Sequence, residues 1–136
     1  MTITGGCLCK AVRYEIAAPP VTTRVCWCRR CQALGAGTVN VTFPSEDIKV
    51  EGELGDFVNT ADSGNILHTQ FCPKCGTPVF TGAESRPHLL AVRDGTLDDP
   101  ELAAPAITIW TEEAPSWARD RSGAAARRRP AAAANA

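Results

Sequence analysis

Phe71-Cys72-Pro73-Lys74-Cys75-Gly76 is the stretch on which the reading of this chain turns. Pro and Gly make a tight turn in which the two thiolates of the C-x-x-C pair can face one ion. Backbone N–H groups of the turn can donate to the sulfurs and ease their charge. Structural zinc sites are built from such knuckles, with four ligands per ion and Zn–S bonds of about 2.3 Å. The knuckle supplies two ligands, so two more must come from distant parts of the chain.

The seven cysteines fall into Cys7-x-Cys9, Cys26-x-Cys28-x-x-Cys31 and Cys72-x-x-Cys75. Cys7 and Cys9, which follow Gly5-Gly6, are the natural partners of Cys72 and Cys75. Together they close a four-thiolate shell, a structural zinc site that staples a small core. Cys26, Cys28 and Cys31 remain. Three protein ligands with one open position is the pattern of a catalytic zinc. The odd count thus divides into four and three, with two zinc ions expected per chain. Other assignments stay open at this point. His68 or His88 can complete the three-cysteine group as a second structural site. Cys31 can be a free thiol. Cys26 or Cys28 can join the knuckle and leave Cys7 and Cys9 spare.

An odd number of cysteines cannot pair wholly into disulfides. Nothing before Cys7 reads as a secretory leader, since Met1-Thr2-Ile3-Thr4-Gly5-Gly6 has neither a basic start nor an apolar run. The expected setting is therefore reducing and cytoplasmic, where clustered cysteines point to metal or catalysis. No apolar stretch approaches the roughly 18–20 residues of a membrane span.

At 136 residues, 44% hydrophobic and 21% charged, the chain suits one compact domain rather than a disordered or multidomain protein. Four Phe, three Trp and one Tyr make a core poor in large side chains, hence the need for a staple. Ten basic residues face fifteen acidic ones through Asp120, and four arginines with no acid follow. An acidic body argues against nucleic acid as the partner. From Ser122 the chain is rich in Ala and Arg, with Pro130. We expect a zinc-binding domain over 1–121 and a disordered tail over 122–136.

Short alternating stretches predict strands: Cys7–Ile16, Thr22–Val25, Thr38–Phe43, Ile48–Val50, Asp56–Thr60, Gly64–Phe71, Val79-Phe80, Leu89–Arg93 and Ala106–Thr111. Cys26–Gly37 reads as a turn with a helical piece. No long stretch keeps a helical period, and the class is mainly β, mostly antiparallel.

The ordered cysteine groups also carry a resemblance. Gly6-Cys7-Leu8-Cys9, Cys26-Trp27-Cys28-Arg29-Arg30-Cys31, and Ser63-Gly64-Asn65 leading to the knuckle and Thr77-Pro78 resemble the glutathione-dependent formaldehyde-activating enzyme family, which includes centromere protein V-like domains. Gly95-Thr96-Leu97-Asp98-Asp99-Pro100 and Ile109-Trp110 extend the likeness to about Trp117. The resemblance implies a β-tent of two small antiparallel sheets meeting at a zinc. It implies the same division, with Cys7, Cys9, Cys72 and Cys75 structural and Cys26, Cys28 and Cys31 catalytic. Trp27 stands where many members have His, which implies a more apolar pocket.

The implied activity is that of a carbon–sulfur lyase resembling S-(hydroxymethyl)glutathione synthase. Its partners would be glutathione or a similar small thiol and a small aldehyde. Arg29 and Arg30 are the expected contacts for thiol carboxylates, with Trp27 beside them; His68 and His88 are candidates for proton transfer. The alternative is a non-catalytic zinc-stabilised module that carries glutathione or binds a protein. Methionine sulfoxide reductases share the tent, but they carry two C-x-x-C knuckles and a late nucleophilic cysteine. This chain has no cysteine after Cys75.

Overall fold

The structure is a computed structural model that describes residues 2–118 and the short strand at 125–126. Among the described residues the strands are β1 (Ile3–Gly6), β2 (Arg13–Ile16), β3 (Thr22–Cys26), β4 (Thr38–Pro44), β5 (Ile48–Glu51), β6 (Gly55–Thr60), β7 (Ile66–Phe71), β8 (Pro78–Ala83), β9 (Leu89–Arg93), β10 (Ile107–Ile109) and β11 (Ala125–Ala126), joined by the α-helix α1 (Arg29–Gly35) and short 3-10 turns. They form a three-stranded sheet ordered β1-β2-β5 and an eight-stranded sheet ordered β11-β10-β3-β4-β9-β8-β7-β6. The mainly β, two-sheet architecture expected from the sequence is the one observed.

Two details differ from the expectation. One sheet is larger than a small antiparallel unit, and its β3–β10 and β10–β11 pairs are parallel. The long connection after β9 brings β10 back beside β3 without a hairpin, which permits the parallel pairing. The stretch read as one strand over Cys7–Ile16 is instead a turn followed by β2, with β1 ahead of it. Lys10, at φ 67°, reverses the chain, and the Cys7 N–H donates to the Val12 carbonyl at 3.1 Å. Gly5 permits β1 there, because a Cβ on it would lie 2.2 Å from the Tyr14 hydroxyl.

The main core lies between the sheets. Tyr14 and Ile16 enter from β2, while Val41, Phe43, Phe80 and Val92 enter from the larger sheet. The Tyr14 and Phe80 rings meet at 5.3 Å, tilted by 57°. Val41, Val92 and Phe80 are register partners across β4, β9 and β8, so one face of three strands is apolar. Each side chain of this size contributes roughly 1.5–3 kcal/mol when fully buried. Cys7 and Cys72 belong to the same core, which places the knuckle at the join of the two sheets.

Among the described residues no helix is long and apolar enough to cross a membrane. The tail expected over 122–136 lies outside the described residues, apart from Ala125–Ala126. That pair runs beside β10, with Ala125 opposite Ile107.

Candidate metal centres

Cys7 and Cys9 follow β1, and Cys72 and Cys75 follow β7. Gly76, at φ 78°, closes the knuckle, and its N–H donates to the Cys72 carbonyl at 2.8 Å. The Cys75 N–H reaches Cys72 Sγ at 3.5 Å, and the Val12 N–H reaches Cys7 Sγ at 3.2 Å. All four sulfurs lie within 4.8 Å of one another. Cys7 and Cys9 are 3.6 Å apart and Cys9 and Cys72 are 3.7 Å apart. A tetrahedron with 2.3 Å metal–sulfur bonds has edges of about 3.8 Å. The donor set and its spacing therefore fit a tetrahedral metal ion. Thr77, through its hydroxyl and its backbone, holds Cys75 down to about 5, toward the thiolate a metal requires.

The second cluster sits where β3 runs into α1. Cys26 ends β3, Cys28 caps α1 and accepts from the Cys31 N–H at 3.4 Å, and Cys31 lies in the first helical turn. Their sulfurs also lie within 4.8 Å of one another. Cys26 and Cys31 are buried, with Ile107, Ile109 and Trp110 around them, whereas Cys28 is half-buried. Hydrogen bonds from Cys26 and Cys28 hold Cys31 below the ordinary thiol value, helped by the charges of Arg93 and Arg30. Cys28 and then Cys31 push Cys26 up, and burial adds to this. Three thiols this close cannot ionise together without a compensating cation, so the cluster is suited to holding one.

A cavity of about 170 Å³ opens beside this cluster. Cys28, Arg29 and Arg30 line it from the start of α1. The segment 59–63 lines the facing wall, and Leu67 and Trp110 complete it. Of the three clustered cysteines, Cys28 alone lines the cavity. The Arg29 backbone N–H donates to Glu113 Oε2 at 2.9 Å, while its side chain is exposed. Arg30 is half-buried, and its Nε donates to Asn59 Oδ1 at 3.2 Å and its Nη2 to the Thr69 hydroxyl.

Trp27, expected beside a substrate, is 4% exposed and does not line the cavity. It packs with Val25 and Ala118 and meets Trp117 edge-on at 6.1 Å, so its place is in the packing. The aromatic on the cavity wall is Trp110, held in the left-handed region at φ 59°.

The two histidines lie outside both clusters. His68 bridges Asp56 at 2.8 Å and Glu84 at 2.7 Å, and these carboxylates, Glu84 first, raise its pKa. The His88 carbonyl accepts from the Ser45 N–H at 3.0 Å. Sequence reading assigned no role to Asn40, which donates to Cys31 Sγ at 3.9 Å, or to Arg93, which donates to Asn40. The one available signal was Asn40 between Thr38 and Thr42, on the polar side of the alternating stretch Thr38–Phe43.

A family model described as glutathione-dependent formaldehyde-activating enzyme matches residues 2–113. The crystal structure of a Rhodobacter sphaeroides protein is 25% identical, with a TM-score of 0.57, covering 72% of this chain and 92% of that one. No curated protein matches the chain.

Proposed function

The chain belongs to the glutathione-dependent formaldehyde-activating enzyme family, and on that premise we propose that it is a zinc-dependent carbon–sulfur lyase. It would join a small thiol, glutathione or one like it, to a small aldehyde, and split the adduct in reverse. The observation that carries this reading is the asymmetry of the second cluster: two cysteines are buried and the third, Cys28, faces a cavity.

In this reading Cys7, Cys9, Cys72 and Cys75 hold a structural zinc ion, and Cys26, Cys28 and Cys31 hold a second, catalytic one. The second ion, when bound, supplies an open position that keeps an incoming thiol as thiolate, the reactive form. Cys28 is the one of the three ligands that lines the cavity, where an incoming thiol would be held. Arg29 offers an exposed cation for the carboxylate of a glutathione-type thiol. Arg30, fixed by Asn59 and Thr69, gives the wall a second positive charge. Trp110 and Leu67 shield the inner side from water.

The thiolate sulfur attacks the carbonyl carbon and a carbon–sulfur bond forms. The carbonyl π pair moves to oxygen, which takes up a proton. Thr60 and Ser63 line the same wall, and their hydroxyls are the donors available to that oxygen. Much of the rate gain would come from holding the two reactants together. The work is assigned to the cytoplasm and to residues 1–121, with the segment 122–136 dispensable for metal binding.

The test follows adduct formation between glutathione and formaldehyde by NMR, in the presence of metal-loaded protein and of Cys28→Ser. We expect turnover above the uncatalysed rate with the wild type, and none above it with Cys28→Ser. Thiol binding to the loaded wild type at the uncatalysed rate would refute the enzyme and identify the carrier module instead.

A further inference from the structure

Arg93, near the end of β9, is 5% exposed. Its Nη1 donates to Asn40 Oδ1 at 2.7 Å and its Nη2 to Thr81 Oγ1 at 2.9 Å. Asn40 is its register partner across the β4–β9 ladder. The Asn40 amide donates in turn to Cys31 Sγ at 3.9 Å. Arg30 adjoins Cys31 in sequence and is likewise held by neutral acceptors, Asn59 and Thr69. Among the described residues neither guanidinium forms an ion pair with a carboxylate.

A buried cation without an anionic partner is costly, and proteins rarely keep one without a use. The anions at hand are the thiolates of Cys26, Cys28 and Cys31. Arg93 reaches them through one side chain, and the amide between them is oriented by both ends. Asn40 must present its oxygen to Arg93 and its nitrogen to Cys31, so its two contacts are mutually consistent.

We propose that Arg93, acting through Asn40, is a positioning residue that sets the charge of the three-cysteine centre so that its open place selects an anionic sulfur ligand over a neutral one. The inference rests on the open metal site proposed above. A divalent ion with three thiolates carries one net negative charge. Arg93 and Arg30, together with Arg24, whose charge also acts on Cys26 and Cys31, make the local sum positive. An incoming thiolate lowers that sum, whereas water or imidazole leaves it unchanged. In a partly buried site the smaller net charge is favoured. A purely structural Arg93 would clamp β4, β8 and β9 and have no influence on which ligand enters.

The experiment uses the full chain loaded with cobalt(II), whose visible absorption reports the ligands of an open thiolate site. The four-thiolate cluster is closed and contributes a constant background. 2-Mercaptoethanol and imidazole are titrated separately at one pH into the wild type, Arg93→Met, Arg93→Lys and Asn40→Asp. Asn40→Asp preserves the side-chain shape and gives Arg93 a carboxylate, so it covers the case in which Arg93→Met does not fold. Removing one unit charge several ångströms away is expected to weaken thiol binding roughly tenfold or more, with imidazole changed less than about twofold. Arg93→Lys should restore most of the thiol preference. An unchanged ratio of thiol to imidazole affinity in Asn40→Asp or Arg93→Met would overturn the inference. Failure of the wild type to take cobalt at the three-cysteine cluster is a separate result, seen before any variant is compared, and it would overturn the proposed function with it.

Discussion

Replacing Cys72 by Ser should abolish the fold, while replacing Cys28 by Ser should leave it standing with one metal fewer. Cys72 is fully buried in the core between the sheets, and its cluster ties the end of β1 to the end of β7. The sulfur spacings of 3.6 and 3.7 Å lie close to the tetrahedral edge, so little metal-binding energy is spent on rearrangement. Structural zinc contributes roughly 10–16 kcal/mol in small metal-dependent domains. Net stability of ordinary domains is about 0.05–0.15 kcal/mol per residue, or roughly 7–20 kcal/mol for a chain of this size. Weakening that site therefore removes a term as large as the whole net stability. The serine hydroxyl, buried without a metal, costs about 1–3 kcal/mol more. Cys28 differs: it is half-buried and belongs to a satellite cluster with Cys26, Cys31 and Ile109. The assay pairs metal counting by mass spectrometry with thermal unfolding followed by circular dichroism. Wild type should carry two metal ions. Cys28→Ser should carry one and melt cooperatively, within about 10 °C of wild type. Cys72→Ser should be unfolded or insoluble. A folded Cys72→Ser with a near-wild-type melting temperature would refute the assignment of the staple, as would collapse of Cys28→Ser.

Three further outcomes follow from other parts of the molecule. The Thr96 hydroxyl donates to the Arg93 carbonyl at 2.7 Å, so the Tyr14 hydroxyl, 2.8 Å away, must donate to Thr96. Tyr14→Phe should thus cost about 1 kcal/mol in urea unfolding. Burial pushes the Tyr14 pKa up to about 12. Stability from this group is complete below the ordinary value near 10 and is lost as pH rises through the folded value. Tyr14 is the sole tyrosine, so an ultraviolet titration reads it directly, and ionisation before pH 10 in the folded protein would contradict the burial. His68, between Glu84 and Asp56, should titrate in NMR above its ordinary 6.5. Its ion pairs favour the fold below that value and lose effect as pH rises through the folded pKa; Glu84→Gln should shift the midpoint down. Gly37 lies at φ 84°, and a Cβ there would come 2.3 Å from the Trp27 ring. Gly37→Ala should destabilise by roughly 2–4 kcal/mol and shift tryptophan fluorescence, and an unchanged denaturation midpoint would refute the close packing.

Much of the site was legible in the sequence because metal ligands are chosen by chemistry and by short spacing. Cys72-x-x-Cys75 with Pro73 and Gly76 specifies its own turn, and Cys26-x-Cys28-x-x-Cys31 needs only one chain reversal and one helical turn to gather three sulfurs. Alternation located most strands for the same local reason: side-chain direction repeats every two residues. Gly5-Gly6 concealed β1, since glycine disfavours strands unless a neighbour demands the space, and the neighbour, Tyr14, comes from another strand.

What the sequence by itself determined was the three cysteine groups and a mainly β chain; it made a division into four and three the natural expectation. What tertiary structure alone decided was which faces meet. It brought the sulfurs of Cys7 and Cys9 to within 4.8 Å of those of Cys72 and Cys75. It buried Trp27 and placed Trp110 on the cavity wall. It set Arg93 opposite Asn40 and, through it, against Cys31. These relations depend on the pairing of strands far apart in the chain, and a β4–β9 pairing shifted by one residue would part Asn40 from Arg93.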